Sequence, residues 1–182
     1  MSLAAAPCRA ESSSPHQTVL GEAFAHLDPG VRRGHLPPFA AEGSLDVQHG
    51  TGWLTPLMIR LMQLPGAGRG QRVRLDVTAV GSDAEWTRRI GPSVLRTRQR
   101  AVGSRLVEYN GRGCVAFALE IEDGTLVYRQ VAMRLAGIPV PAMVTPRVSA
   151  RVSPAAGGWR VEVAVTWRGG LVCRYAGVMG VV

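Results

Sequence analysis

The chain has 182 residues, of which 46% are hydrophobic and 19% charged, a composition typical of one globular domain rather than of a disordered chain. All 21 basic residues are arginine, and the formal net charge is +8. The arginines are scattered along predicted strands with few aromatic residues beside them, so nucleic-acid binding through Arg96, Arg98 and Arg100 ranks last among the functions considered. No apolar run is long enough to span a bilayer, and no membrane partner is predicted.

The cysteines and histidines do not form a recognisable site pattern. No C-x-x-C pair and no histidine pair at i,i+4 occurs among Cys8, Cys114, Cys173, His16, His26, His35 and His49. We therefore predict no disulfide scaffold, no metal site and no cofactor. A G-x-S-x-G elbow is also missing from the sequence, which disfavours nucleophilic catalysis of that kind.

The chain divides into a leader and one domain. Residues 1–17 are rich in Ala, Ser and Pro and are predicted to be a disordered leader of a cytoplasmic protein, while residues 18–182 form the domain. Thr18 is predicted to cap a short helix that ends at Asp28-Pro29-Gly30. A first strand follows from Ala41 to His49, before Gly50.

A second helix is predicted from Trp53 to Leu64. Its apolar residues recur at helical spacing, namely Trp53, Leu54, Leu57, Met58, Leu61 and Met62. Met58 and Met62 are adaptable side chains that suit either a packed core or a ligand pocket.

After Gly70 the apolar pattern changes to a period of two, which predicts successive antiparallel strands. In the stretch Glu85–Gly91, alternation places Trp86 and Arg88 on one face. Residues 93–102 are polar on both faces, and Gly137–Met143 is predicted to be a crossover loop or bulged edge because of its prolines. The pattern favours a mainly β fold, in which about eight or nine strands form a curled antiparallel sheet or β-barrel, lipocalin-like in general shape, with one or two N-terminal helices.

An ordered series of short motifs carries a family resemblance. The series consists of Leu64-Pro65-Gly66-Ala67-Gly68, Trp86-Thr87-Arg88, Glu108, Ile138-Pro139-Val140-Pro141 with Pro146, Gly169-Gly170-Leu171-Val172, and Tyr175-Ala176-Gly177. From about Leu27 to Met179 the chain resembles a bacterial family of uncharacterised domains, domain of unknown function 4166. That family is often fused to an NAD-binding, saccharopine-dehydrogenase-like or short-chain-dehydrogenase-like half. We expect no such half in this sequence, because no G-x-G-x-x-G follows a predicted strand. The chain departs from the family pattern at Ile90, where an aromatic residue is expected, and after Pro146, where Arg151 replaces an expected acid.

Two functions are predicted ahead of nucleic-acid binding. The first is a cavity that binds a small apolar molecule, in a carrier or in a cofactor-free acid/base isomerase or cyclase of bacterial secondary metabolism. Its predicted catalytic residues are Glu108 and Arg88, and its predicted ligand-binding residues are Trp53, Met58, Met62, Trp86, Tyr109, Tyr128 and Tyr175. The alternative is a non-catalytic module that docks on a separately encoded reductase through the Trp53 helix or the Pro139/Pro141 loop. A homodimer is left open, as is the reading of Glu108 and Arg88 as a rim ion pair without a role in binding.

Overall fold

The computed structural model describes residues 13–111 and 113–182, so the predicted leader lies outside the described residues up to residue 12. Three α-helices, α1 to α3, span Pro15–Leu20, Pro29–Arg33 and Thr55–Met62, and a 3₁₀ helix spans Gly21–His26. Eleven strands, β1 to β11, span Phe39–His49, Gly68–Val80, Asp83–Ile90, Ser93–Val102, Arg105–Asn110, Gly113–Glu122, Thr125–Leu135, Ile138–Pro139, Arg147–Ala155, Gly158–Trp167 and Gly170–Val181. No helix among these is long and apolar enough to cross a membrane.

Ten of the strands close into an antiparallel β-barrel. Going around the barrel, the order is β6, β5, β4, β3, β2, β1, β11, β10, β9 and β7, and β7 pairs again with β6. The mainly β fold and the curled antiparallel sheet are therefore confirmed. The strand number is ten rather than eight or nine, because the early strand β1 pairs with both β2 and β11. The pairing of β1 with β11 joins residues more than 120 positions apart in sequence.

The first helices close one end of the barrel, which we call the floor. Asp28 N–H donates to the carbonyl of Gly124 in the β6–β7 turn. The helix α1 packs against β4, β5 and β6, and the helix α2 packs against β9 and β10. The helix α1 begins earlier than predicted, at Pro15, because Ser14 rather than Thr18 caps it through a reciprocal bond with Gln17. Residues 13–17 therefore belong to the folded domain and not to a leader.

The helix α3 lies at the opposite end, which we call the mouth. It packs against β11, and Asn110 Nδ2 on β5 donates to the carbonyl of Met62 at a distance of 3.4 Å. The helix is shorter than the predicted span from Trp53 to Leu64, because Gln63 adopts a left-handed conformation that ends it.

The strands β7 and β9 pair over only part of their length. They pair from Leu126 to Arg129, after which β7 turns away and pairs with the two-residue strand β8. The predicted crossover at residues 137–143 thus contains a short strand outside the barrel. Gln130 crosses the gap with its side chain, donating to the carbonyl of Pro146 and accepting from the N–H of Val148.

Candidate binding cavity

The barrel encloses a cavity with a volume of about 880 Å³. A barrel of eight strands is just wide enough for side chains to fill, and two further strands widen the interior. Most of the wall is apolar, and its residues include Leu45, Val73, Leu75, Ile90, Leu95, Phe117, Met133, Val148, Val161 and Val163. The cavity therefore suits an apolar occupant of drug-like size.

Four polar side chains form a group on one side of this apolar wall. Arg88 Nη1 donates to Glu108 Oε1 at 2.9 Å and to Thr97 Oγ1 at 2.8 Å. Gln99 Nε2 donates to the other carboxylate oxygen of Glu108 at 3.2 Å. These side chains converge because β3, β4 and β5 are neighbours whose alternate residues point inward.

The Arg88–Glu108 pair is ionised inside the barrel. Burial opposes the charge of Glu108, but the positive charge of Arg88 and hydrogen bonds with Thr97, Gln99 and Arg88 outweigh it and lower the pKa of Glu108. Burial likewise opposes the charge of Arg88, while Glu108 raises the pKa of Arg88. Each side chain is 20% exposed, so the pair is a charged feature of the wall and not a pair on the outer rim.

A second polar cluster joins the floor helices to the barrel wall. The hydroxyl of Tyr128 lies 2.9 Å from His16 Nε2 and 3.0 Å from His35 Nε2. His35 Nδ1 donates to the carbonyl of Val31 at 2.7 Å, so a neutral His35 accepts from Tyr128 through Nε2. His16 must then donate to the hydroxyl oxygen through its own Nε2. The hydrogen bonds run in one direction from His16 to Val31.

Both histidines of this cluster are neutral at physiological pH. Burial is the main cause that lowers the pKa of His16 well below its ordinary value, with a smaller contribution from His35. Burial also lowers the pKa of His35 from 6.5 to about 4, although its bond to Val31 acts in the opposite direction. Burial raises the pKa of Tyr128, so its hydroxyl keeps its proton.

Trp86 connects the two polar clusters. Its side chain is only 6% exposed, its ring lies 5.0 Å from the guanidinium carbon of Arg88, and Phe39 meets it edge-to-face at 5.8 Å. Trp86 Nε1 and Gln99 Oε1 are buried polar atoms without a hydrogen-bond partner among the described residues. Such atoms are rare in folded proteins and often mark functional regions.

Seven of the nine predicted site residues line this cavity. They are Arg88, Glu108, Trp86, Tyr128, Tyr175, Met58 and Met62. Burial raises the pKa of Tyr175 to about 12, so it too is a neutral phenol.

The structure does not bring Trp53 and Tyr109 to the cavity. Trp53 precedes α3 and is 87% exposed. Tyr109 follows Glu108 on β5, so alternation directs it to the outside of the barrel. Among the apolar residues of this segment, Leu54, Leu57, Met58, Leu61 and Met62 all line the cavity. Leu57 and Leu61 lie at its opening, since they are also exposed, whereas Trp53 is exposed and does not line the cavity.

The sequence analysis missed Thr97, Gln99, His16 and His35 as site residues. For Thr97 and Gln99 a signal was present, since residues 93–102 are polar on both faces and one of those faces must point inward. For His16 and His35 the local sequence carried none, because their common partner Tyr128 lies 112 and 93 residues away. Among the described residues, no group of three or more metal-ligating side chains could hold a metal ion.

A comparison with family models identifies the family of the chain. Residues 27–179 match the model of the family described as Domain of unknown function (DUF4166). The chain belongs to this family. No curated protein matches it.

The two positions at which the sequence analysis expected a departure from the family pattern lie in different surroundings. Ile90 is buried and lines the cavity at the mouth end of β3, so its side chain bears on the shape of the cavity. Arg151 is exposed on the outer wall and pairs with Glu122 at 2.9 Å. An acidic residue at position 151 would therefore face solvent and not the cavity.

Proposed function

We propose that this DUF4166 domain binds a small, largely apolar molecule inside its barrel. The observation that carries the proposal is the apolar cavity of about 880 Å³ with one ion pair, Arg88–Glu108, in its wall. Ligand pockets of this kind are mostly apolar, with a few polar groups that fix the orientation of the ligand.

The proposed ligand carries an oxygen function at one end. Arg88 and the hydroxyl of Tyr175 supply donors to the cavity, and Met58 and Met62 supply flexible apolar contacts near the mouth. A carbonyl or hydroxyl oxygen placed beside Arg88 gains a charge-assisted hydrogen bond in a site with little water. The apolar remainder of the ligand would extend toward α3.

Uptake of a fluorescent apolar probe tests the proposal directly. We expect the parent protein to bind a probe such as an anilinonaphthalene sulfonate in the folded state, with saturation at about one site. Ala150 lines the cavity, and Ala150→Phe should reduce uptake by filling part of it.

Ser149 provides the matched control, since it is the preceding residue of β9 and is exposed. Ser149→Phe adds the same ring to the outer wall and should leave uptake unchanged. A folded parent that takes up no probe, or equal losses in the two variants, would refute the cavity proposal.

A cofactor-free acid/base isomerase or cyclase is the catalytic form of the same proposal. Glu108 is held ionised and can accept a proton from a bound ligand, while Tyr175 and Arg88 can polarise an oxygen of the ligand. Glu108→Gln separates the two forms, because a carrier keeps its function if the variant still binds, whereas an enzyme loses turnover. We place this activity in bacterial secondary metabolism in the cytoplasm, and genes for a biosynthetic cluster next to this one would support that assignment.

Docking on a separately encoded reductase is the second proposal. The two segments considered for it, the Trp53 helix and the loop with Pro139 and Pro141, both lie at the mouth, and their apolar residues Trp53 and Ile138 are exposed. Copurification of a dehydrogenase, abolished by Trp53→Ala, would support a docking module. No copurification together with probe uptake would favour the cavity function alone.

A further inference from the structure

The mouth of the barrel carries an unusual number of exposed apolar side chains. Trp53, just before α3, is 87% exposed, and Leu57 and Leu61 on α3 are 61% and 66% exposed. Across the opening, Ile138 and Met143 in the β7–β9 connection are 70% and 85% exposed. We call these five residues the apolar rim.

The apolar rim is too extensive to be a by-product of packing. Isolated exposed hydrophobic residues are common, but a patch that gathers large side chains from two separate segments marks an interaction surface. The spacing of Trp53, Leu57 and Leu61 places all three along one stripe of this segment. Leu57 and Leu61 also line the cavity together with Met58 and Met62, so the stripe borders the opening of the barrel.

Basic side chains surround the apolar rim. Five exposed arginines lie at the mouth end of the structure, on α3, at the ends of β2, β7 and β9, and in the turn between β10 and β11. They are Arg60, Arg69, Arg134, Arg147 and Arg168. Within the described residues none of them forms an ion pair. We call them the rim arginines.

Carboxylates on the outer surface are almost absent from the same end. Asp46 on β1 is the one exposed described carboxylate near the mouth, and it accepts a hydrogen bond from Gly70 N–H. The other outward acidic residues occupy the middle of the wall and the floor, where most of them pair with arginines, as Asp83 does with Arg98 and Arg100. The mouth end thus carries the five rim arginines against one exposed carboxylate among the described residues, a local excess of positive charge.

We infer that the mouth docks on an anionic lipid bilayer surface. Peripheral membrane sites combine Trp and Leu side chains that enter the headgroup region with flanking basic residues that attract anionic lipids. The apolar rim and the rim arginines supply both parts at one end of the barrel. A second copy of this chain fits the charge poorly, because two mouths face to face would bring ten rim arginines together.

This orientation places the cavity directly above the lipid. Leu57 and Leu61 are exposed and at the same time line the cavity beside Leu54, Met58 and Met62. An apolar molecule could therefore pass between the bilayer and the barrel without crossing bulk water. Docking itself does not depend on the proposed function, since Trp53, Ile138, Met143 and the rim arginines belong to the surface and do not line the cavity.

Sedimentation with lipid vesicles tests docking on the full chain. We expect the protein to bind vesicles of phosphatidylcholine mixed with phosphatidylglycerol, to bind pure phosphatidylcholine vesicles at least about tenfold more weakly, and to dissociate as salt increases. Ile138→Ser with Met143→Ser should weaken binding by about tenfold or more, because both side chains leave the proposed contact and neither lines the cavity. Val80 and Val102 are exposed at the floor, so Val80→Ser with Val102→Ser should bind like the parent.

A charge-matched pair of variants tests location. Arg134→Gln with Arg168→Gln removes two rim arginines, and Arg33→Gln with Arg105→Gln removes two exposed arginines at the floor. Both variants lower the net charge equally, so only docking through the mouth predicts a loss confined to the first. Emission of Trp53 should also shift to shorter wavelength on binding, in a signal that Trp53→Phe removes.

Four results would overturn the inference. These are no binding to the anionic vesicles, equal losses in the rim and floor variants, self-association through the mouth that competes with vesicles, and a protein partner on the rim of a chain that ignores vesicles. Melting temperatures of all variants exclude unfolding as the cause of a loss. Probe uptake is measured separately, so failure of docking and failure of the cavity proposal are distinguishable.

Discussion

The cluster of His16, Tyr128 and His35 predicts a loss of stability at mildly acidic pH. In the folded state, burial lowers the pKa of His35 from 6.5 to about 4. Between these values the unfolded chain binds a proton at His35 that the folded chain does not bind, so the free energy of unfolding falls as the pH falls. The contribution is complete above about pH 6.5 and is lost progressively toward pH 4.

The expected size follows from the same two pKa values. At about pH 5 the unfolded His35 is almost fully protonated and the folded His35 is mostly neutral, which corresponds to a loss of about 2 kcal/mol relative to pH 7. His16 acts in the same direction because burial also lowers its pKa. Typical domains have only about 5–15 kcal/mol of stability, so the change is large enough to measure.

Urea unfolding at about pH 7, 6 and 5 measures this loss, with tryptophan fluorescence as the signal. The range stays above the pKa values of carboxylates, so Glu108 and Asp83 contribute little to the slope. His35→Asn keeps an N–H donor for the carbonyl of Val31 and should reduce the pH-dependent loss by about 2 kcal/mol. His26 is exposed, and His26→Asn is the matched control that should keep the parent slope. A parent stability that stays constant over this range, or an unchanged slope in His35→Asn, would show that the cluster is not neutral and buried as described.

Three further predictions concern the wall of the barrel. Trp86→Ala should lower the free energy of unfolding by about 3–5 kcal/mol because the ring is buried, and Arg96→Ala on the outer wall by less than about 0.5 kcal/mol; equal values from urea unfolding would contradict the assigned faces of β3 and β4. Asp83 has a side chain only 2% exposed between two arginines, and hydrogen bonds from Arg100 chiefly lower its pKa. Asp83→Asn should therefore cost about 1–3 kcal/mol near neutral pH, an effect that shrinks below about pH 4 as the parent carboxylate is protonated. Glu108→Gln and Arg88→Met should each weaken probe binding by about tenfold. Each should also lower the free energy of unfolding, and the double variant should lose less than the sum of the two single losses, since it leaves no unpaired charge. Additive losses of unfolding free energy would mean that the two side chains do not interact.

The sequence predicted the strands well because their signal is local. Alternation placed Trp86 and Arg88 on one face of β3, and both side chains line the cavity. The closure of the barrel was less predictable, since it depends on the pairing of β1 with β11, and residues such as Leu45 and Gly177 carry no local mark of that contact.

The residues of the candidate site were likewise predictable where their signal is local, and not where they depend on contacts distant in sequence. Arg88 and Glu108 were predicted together and lie within hydrogen-bond distance in the structure. Trp53 was assigned to the cavity because helical spacing shows which residues share a side, but not which side meets the barrel. His35 was not predicted at all, because its partner Tyr128 is brought to it only by the packing of the floor helices against the strands.

The incomplete pairing of β7 with β9 affects how the molecule resists aggregation. A closed barrel has no free strand edges, but the divergence of β7 after Arg129 creates two short ones, and unpaired edges invite strands of other molecules. One edge is blunted by β8, since Pro139 and the nearby Pro141 have no N–H with which to extend a sheet. The other is occupied by Gln130, whose amide stands in for a peptide group between Pro146 and Val148. A single glutamine side chain thereby takes the place of a neighbouring strand, and Gln130→Ala would offer the main chain of β9 to the next molecule in solution.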